Sequence, residues 1–161
     1  MHWAMAGGVI GIIGTAKAAQ NTKVDAEKAK YMWVHKSLGL MMAGLIVPRA
    51  VLRVMTRDPR PLPGPTVQHY AGALSHGVLY FLMAGLPLSG IVMGYFSGRG
   101  LPFFWTSIPG AAKPQGDIAK RAFFLHQKMG QALEIMTILH VSAAAIYHKL
   151  IMRHSIFKRI L

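Results

Sequence analysis

A chain of 161 residues with 53% hydrophobic and 14% charged residues and a mean hydropathy of +0.36 is too apolar for a soluble domain of this size. The absence of cysteine excludes disulfides, thiolate nucleophiles, iron–sulfur clusters and cysteine-bound zinc, and leaves eight histidines as the candidate chemistry. A net charge of +13 would suggest nucleic acid in a soluble protein; in so apolar a chain it points to anionic lipid, an anionic substrate or acidic partner subunits.

The pattern predicts an all-α, integral membrane four-helix bundle, one domain over residues 1–161. The first apolar run, residues 2–19, is near the lower limit for crossing about 30 Å of hydrocarbon. No basic leader precedes it, so no signal peptide is read, and a start on the second residue suggests a processed precursor or chain missing upstream. A polar connection leads to the second span, residues 31–55, which contains Lys36, Pro48, Arg49 and Arg53; membrane helices tolerate an internal proline, with a kink. The stretch Arg57–Thr66 holds four prolines and reads as an extended loop between two hairpins. Residues 70–96, uncharged throughout, form the third span. A loop over 97–120 follows, with Phe103, Phe104 and Trp105 as an interfacial anchor. The fourth span covers 121–152, and Arg153–Leu161 is a basic amphipathic tail. Lysines and arginines fall about equally on both sides of the bilayer, so charge does not orient the bundle.

Ionisable residues are expensive inside a membrane, and histidine is a common haem ligand. His126 and His140 lie fourteen residues apart on the fourth span, nearly four full turns, which puts them on one helix face about 21 Å apart. Spans two and four start on the same side, so His35 matches His126 in depth and His2 matches His140. Two bis-histidine sites for haem b result. Any single one of these histidines could equally sit in the headgroups; the paired depths speak against that. No carboxylate or third histidine adjoins either pair, which disfavours zinc, since catalytic zinc sites normally take three protein ligands. Gly7, Gly39 and Gly130 fall within about a turn of His2, His35 and His126, where a macrocycle needs small residues, although helix packing uses glycine equally.

Arg49 and Arg53 lie one turn apart on the side of the His2 and His140 pair. There they suit haem propionates, with snorkelling into the headgroups as the plain alternative. His76 in span three reads as a proton donor or quinone contact, or as a buried structural histidine. Lys36 and Lys128 belong to a basic collar around the His35 and His126 pair that would steer an anion, or simply meet lipid. His69, His148 and His154 read as interfacial.

Together these residues resemble the bacterial cytochrome b561 family, relatives of the di-haem b subunits of nickel–iron hydrogenases and distinct from the ascorbate-reducing eukaryotic proteins. The resemblance covers nearly the whole chain. It is carried by His2-Trp3; by His35 with Gly39, Arg49 and Arg53; by His76-x-x-x-Tyr80 followed by Leu86-Pro87-Leu88-Ser89-Gly90; and by His126, His140 and His148. It implies two haems b on His2, His35, His126 and His140 and electron transfer linked to quinone, with superoxide oxidation in some members. The chain departs from the family in having little before the first His-Trp and Arg153, His154 and Ser155 where an acidic residue is usual. Two functions follow as expectations: a quinone-linked oxidoreductase acting alone, or an electron-relaying subunit of a larger respiratory or hydrogenase-like complex. Its expected place is a bacterial or mitochondrial inner membrane.

Overall fold

The computed structural model describes residues 1–56 and 65–146. Four helices, α1 (His2–Asn21), α2 (Asp25–Met55), α3 (Thr66–Phe96) and α4 (Gly116–Ser142), are joined with a small hairpin, β1 (Leu101–Phe103) and β2 (Thr106–Ile108), between the last two. Helix α4 runs on to Ile146 through a wider π-type turn. The proline loop at 57–64, the end of the fourth span beyond 146 and the basic tail lie outside the described residues, as do His148 and His154.

Among the described residues three helices are long and apolar enough to cross a membrane, each 31 residues: α2, α3 and α4 with its extension. At about 1.5 Å per residue each exceeds the hydrocarbon thickness, so its ends project into the headgroups. That explains why α2, α3 and α4 start at Asp25, Thr66 and Gly116, four to six residues before the apolar runs begin. Asp25, Glu27 and Asp117 in the first turns suit the positive end of the helix dipole. Helix α1 has 20 residues and does not reach the apolarity of the other three, being diluted by glycine, Thr15, Lys17 and a polar end.

Helix α1 packs along α2 and α3 along α4, with lighter contact between α2 and α3. On α1, Gly8 and Gly11 let α2 come close: a Cβ at Gly8 would lie 2.8 Å from Met42 Sδ and one at Gly11 3.3 Å from Leu38 Cδ1. A core of Leu82, Met129 and Leu133 ties α3 to α4, and Val9 of α1 reaches it. Outward faces carry Ile10, Val47, Phe81, Leu88 and Ile138, all exposed, as a surface turned to lipid tails requires. Lys17 of α1 and Glu134 of α4 form an ion pair of 2.8 Å.

The expected loop after α3 contains the hairpin, antiparallel with Leu101 opposite Ile108 and Phe103 opposite Thr106. Its three-residue strands are too short to leave an alternating pattern in the sequence. Ser37 of α2, fully buried, accepts the Phe104 N–H at 3.0 Å and donates to Pro102 O at 3.4 Å, pinning the hairpin onto α2. Gly100, at φ +72°, has no room for a side chain, since a Cβ would lie 2.5 Å from Ile108 O. Trp105 at the turn is 90% exposed, placed for contact with headgroups.

Two histidine pairs between the helices

Helix α4 supplies one histidine to each of two couples, His126 beside His35 of α2 and His140 beside His2 of α1. The rings of His35 and His126 lie 6.1 Å apart, centre to centre, and those of His2 and His140 6.5 Å apart. Two imidazoles bound through nitrogen to opposite sides of one iron have centres about 6.3 Å apart, taking a metal–nitrogen bond of about 2.0 Å. Rotation about the nitrogen–iron–nitrogen axis leaves the angle between ring planes free, so 82° in one couple and 48° in the other are both compatible. Among the described residues no cluster of three or more histidine, aspartate or glutamate side chains is gathered to hold a metal ion.

At the hairpin end each ring is held by backbone. His35 Nδ1 lies 3.1 Å from the carbonyl of Ile12 on α1. His126 Nδ1 lies 3.0 Å from both the Leu86 carbonyl and Ser89 Oγ on α3, while the Ser89 hydroxyl donates to the same carbonyl at 2.9 Å. A ring that donates from Nδ1 keeps the Nε2 lone pair for a metal. Gly90 supports this arrangement, because a Cβ there would stand 3.4 Å from His126 Cε1. Sequence reasoning found the four histidines but not these supports. A serine within a span, at the depth of a histidine on the facing helix, is the signal that points to Ser89.

At the opposite end a side chain takes the place of backbone. Arg49 Nη2 lies 3.1 Å from His2 Nδ1, and the guanidinium stands 5.7 Å from the centre of the Tyr80 ring. Arg49 Nε is buried without a hydrogen-bond partner. Beside it opens a cavity of about 190 Å³ lined by Met1, Arg49, Leu52, Arg53, Thr56 and Tyr80. His76 joins this end, its ring 5.3 Å from that of His140, so that, against the expectation from sequence, a third histidine adjoins this pair, although the three are not gathered as a metal-holding group.

A Cβ at Gly7, Gly39 or Gly130 would meet nothing within 4 Å. Gly39 and Gly130, four residues after His35 and His126, share those histidines' helix faces, whereas Gly7, five after His2, is turned from it by about 140°. Lys36 is partly buried beside His35, Lys128 is exposed with its ammonium 5.7 Å from the Phe124 ring centre, and His69 is exposed.

The family profile of prokaryotic cytochrome b561 matches residues 1–161. The chain belongs to the prokaryotic cytochrome b561 family. As a cytochrome b561 it is an integral membrane protein of electron transfer that binds haem b. It is 29% identical over 131 residues to cytochrome b561 homolog 2 of Escherichia coli K12, covering 80% of this chain and 69% of that protein. It is 25% identical over 115 residues to cytochrome b561 homolog 1 of the same organism, covering 71% and 65%. A probable superoxide oxidase, CybB, of Yersinia pestis is 26% identical over 117 residues, covering 71% of this cytochrome b561 and 66% of the relative. The matches thus span about two thirds of each relative's length.

Proposed function

We propose that this cytochrome b561 holds two haems b, one between His35 and His126 and one between His2 and His140, and passes single electrons to the quinone pool. What carries the proposal is the pair of ring separations, 6.1 and 6.5 Å, each a spacing at which two histidines could hold one iron between them. Bound haem supplies a reversible one-electron change at its iron. The residues do the rest. Carbonyls of Ile12 and Leu86 fix the Nδ1–H tautomers of His35 and His126, keeping Nε2 available. Gly39 and Gly130 border the open space in which a macrocycle would lie. Arg49 and Arg53 would receive propionates at the other end, where the unpartnered Arg49 Nε marks an acceptor still owed.

For all this α1 must cross the bilayer beside the other three helices, as part of a four-helix bundle forming one domain over residues 1–161. The membrane proposed is the bacterial inner membrane. His76, against His140, is the proposed proton donor or hydrogen-bonding group for quinone. The name of the Yersinia relative suggests a donor. Two superoxide anions oxidised to dioxygen would yield the two electrons that, with two protons, convert a quinone to its quinol. Lys36 and Lys128 would draw that anion toward the hairpin end.

A redox difference spectrum of the purified chain with haem quantitation tests the proposal. Two protohaems per chain are expected, and a chain that binds none would overturn it. Quinone reduction by the chain alone would establish turnover without partners; haem reduction without quinone turnover would reject the quinone link.

A further inference from the structure

Three Nδ1 contacts at the hairpin end are to oxygen, whereas the one recorded for His2 is to a nitrogen. A guanidinium only donates and stays protonated in proteins. Arg49 Nη2, 3.1 Å from His2 Nδ1, therefore faces the lone pair on that atom, and the ring proton of neutral His2 sits on Nε2. Nε2 is the atom a metal would take. Coordination moves the proton to Nδ1, where it would confront another N–H, so His2 becomes a ligand only once Arg49 has turned away. The surroundings show what it would turn to. Its Nε is buried and unpartnered, and its flank opens into the cavity shared with Arg53, Thr56 and Tyr80. A carboxylate meets a guanidinium with two parallel hydrogen bonds and opposite charge, which the His2 ring cannot offer.

Building on the two-haem function proposed above, we infer that Arg49 is a latch on His2. It keeps the ring in its non-coordinating tautomer until a carboxylate of the incoming porphyrin takes over the guanidinium. The His2 and His140 site therefore fills second and demands a porphyrin with free carboxylates, while the backbone-held His35 and His126 site fills first and does not.

The test titrates the full chain, purified haem-free from haem-limited cells, with protohaem and separately with its dimethyl ester, in which both carboxylates are blocked. Absorbance reports the sites filled. Wild type is expected to bind two protohaems in two phases but a single ester. His35→Ala, which leaves only the Arg49 end, is expected to bind one protohaem and no ester. In Arg49→Met, which removes the latch and leaves Arg53 for a propionate, the second site is expected to gain ester binding, so that the preference for protohaem narrows without disappearing. Ester filling both wild-type sites would overturn the latch without touching the two-haem function. Ester filling neither site while protohaem fills both would overturn the claim that only the Arg49 end needs carboxylates. Protohaem filling no site would remove the two-haem function and the latch with it.

Discussion

The two ends of the bundle hold histidines at nearly the same separation by different means. At the hairpin end the partners are main-chain carbonyls of Ile12 and Leu86, which move only if a helix moves. At the other end the partner of His2 is the tip of a long side chain, which a change of rotamer can release. A pair held by backbone is built before its ligand arrives; a pair held by an arginine can respond to the ligand's own charge.

The strongest way to break this comparison is to remove ligands. His35→Ala or His126→Ala should lose one haem and largely spare the other, and His2→Ala or His140→Ala should do the converse, measured by haem content. The double variant His35→Ala with His140→Ala should hold none, and one fully bound haem in it would refute the pairing. Next in size is Gly90→Val. Its Cβ would already stand 3.4 Å from the His126 ring, and two further methyl groups should displace the ring and empty only the hairpin end. Ser89→Ala should keep both haems yet raise the midpoint potential of one, because His126 Nδ1–H loses one of its two acceptors and the imidazole becomes a weaker donor to ferric iron. Potentials unchanged at both haems would show that Ser89 serves helix α3 alone. Smallest is the effect of charge. Neutralising Lys36 and Lys128 should slow haem reduction by superoxide much as raising the salt does, since the Debye length shrinks to about 3 Å at 1 M. A salt-independent rate unaffected by both changes would remove steering.

Much of this was legible in the sequence because helices impose a fixed rise. The fourteen-residue interval between His126 and His140, set against antiparallel neighbours, gave the couples by depth, and the structure brings the same residues together. The apolar runs located α2, α3 and α4 and the ends of α2 and α3 at Met55 and Phe96, but not where the three helices start, since the extra turns are polar or charged and lie where water replaces lipid. Invisible were contacts to main-chain atoms, such as Ile12 O with His35: no residue type announces that its carbonyl will be used. The hairpin escaped for a related reason. Its attachment is a buried Ser37 reaching across 65 residues of chain to Pro102, and one serine in a helix carries no such message.

The ion pair between Lys17 and Glu134 joins the earliest helix to the latest. During synthesis α1, the shortest of the four and without so apolar a continuous stretch as the others, meets the insertion machinery carrying a lysine whose counter-charge lies 117 positions further along the chain. An unpaired lysine costs several kcal/mol in hydrocarbon, which a segment of marginal apolarity cannot offset. Biogenesis should therefore end where it began, with α1 waiting at the bilayer surface until α4 delivers Glu134. A cysteine placed at Ile10, mid-way along α1 in a chain with no other cysteine, should stay open to a membrane-impermeant thiol reagent in chains truncated before Glu134 and be shielded in the full chain; shielding already in the truncated chain would show that α1 inserts unaided.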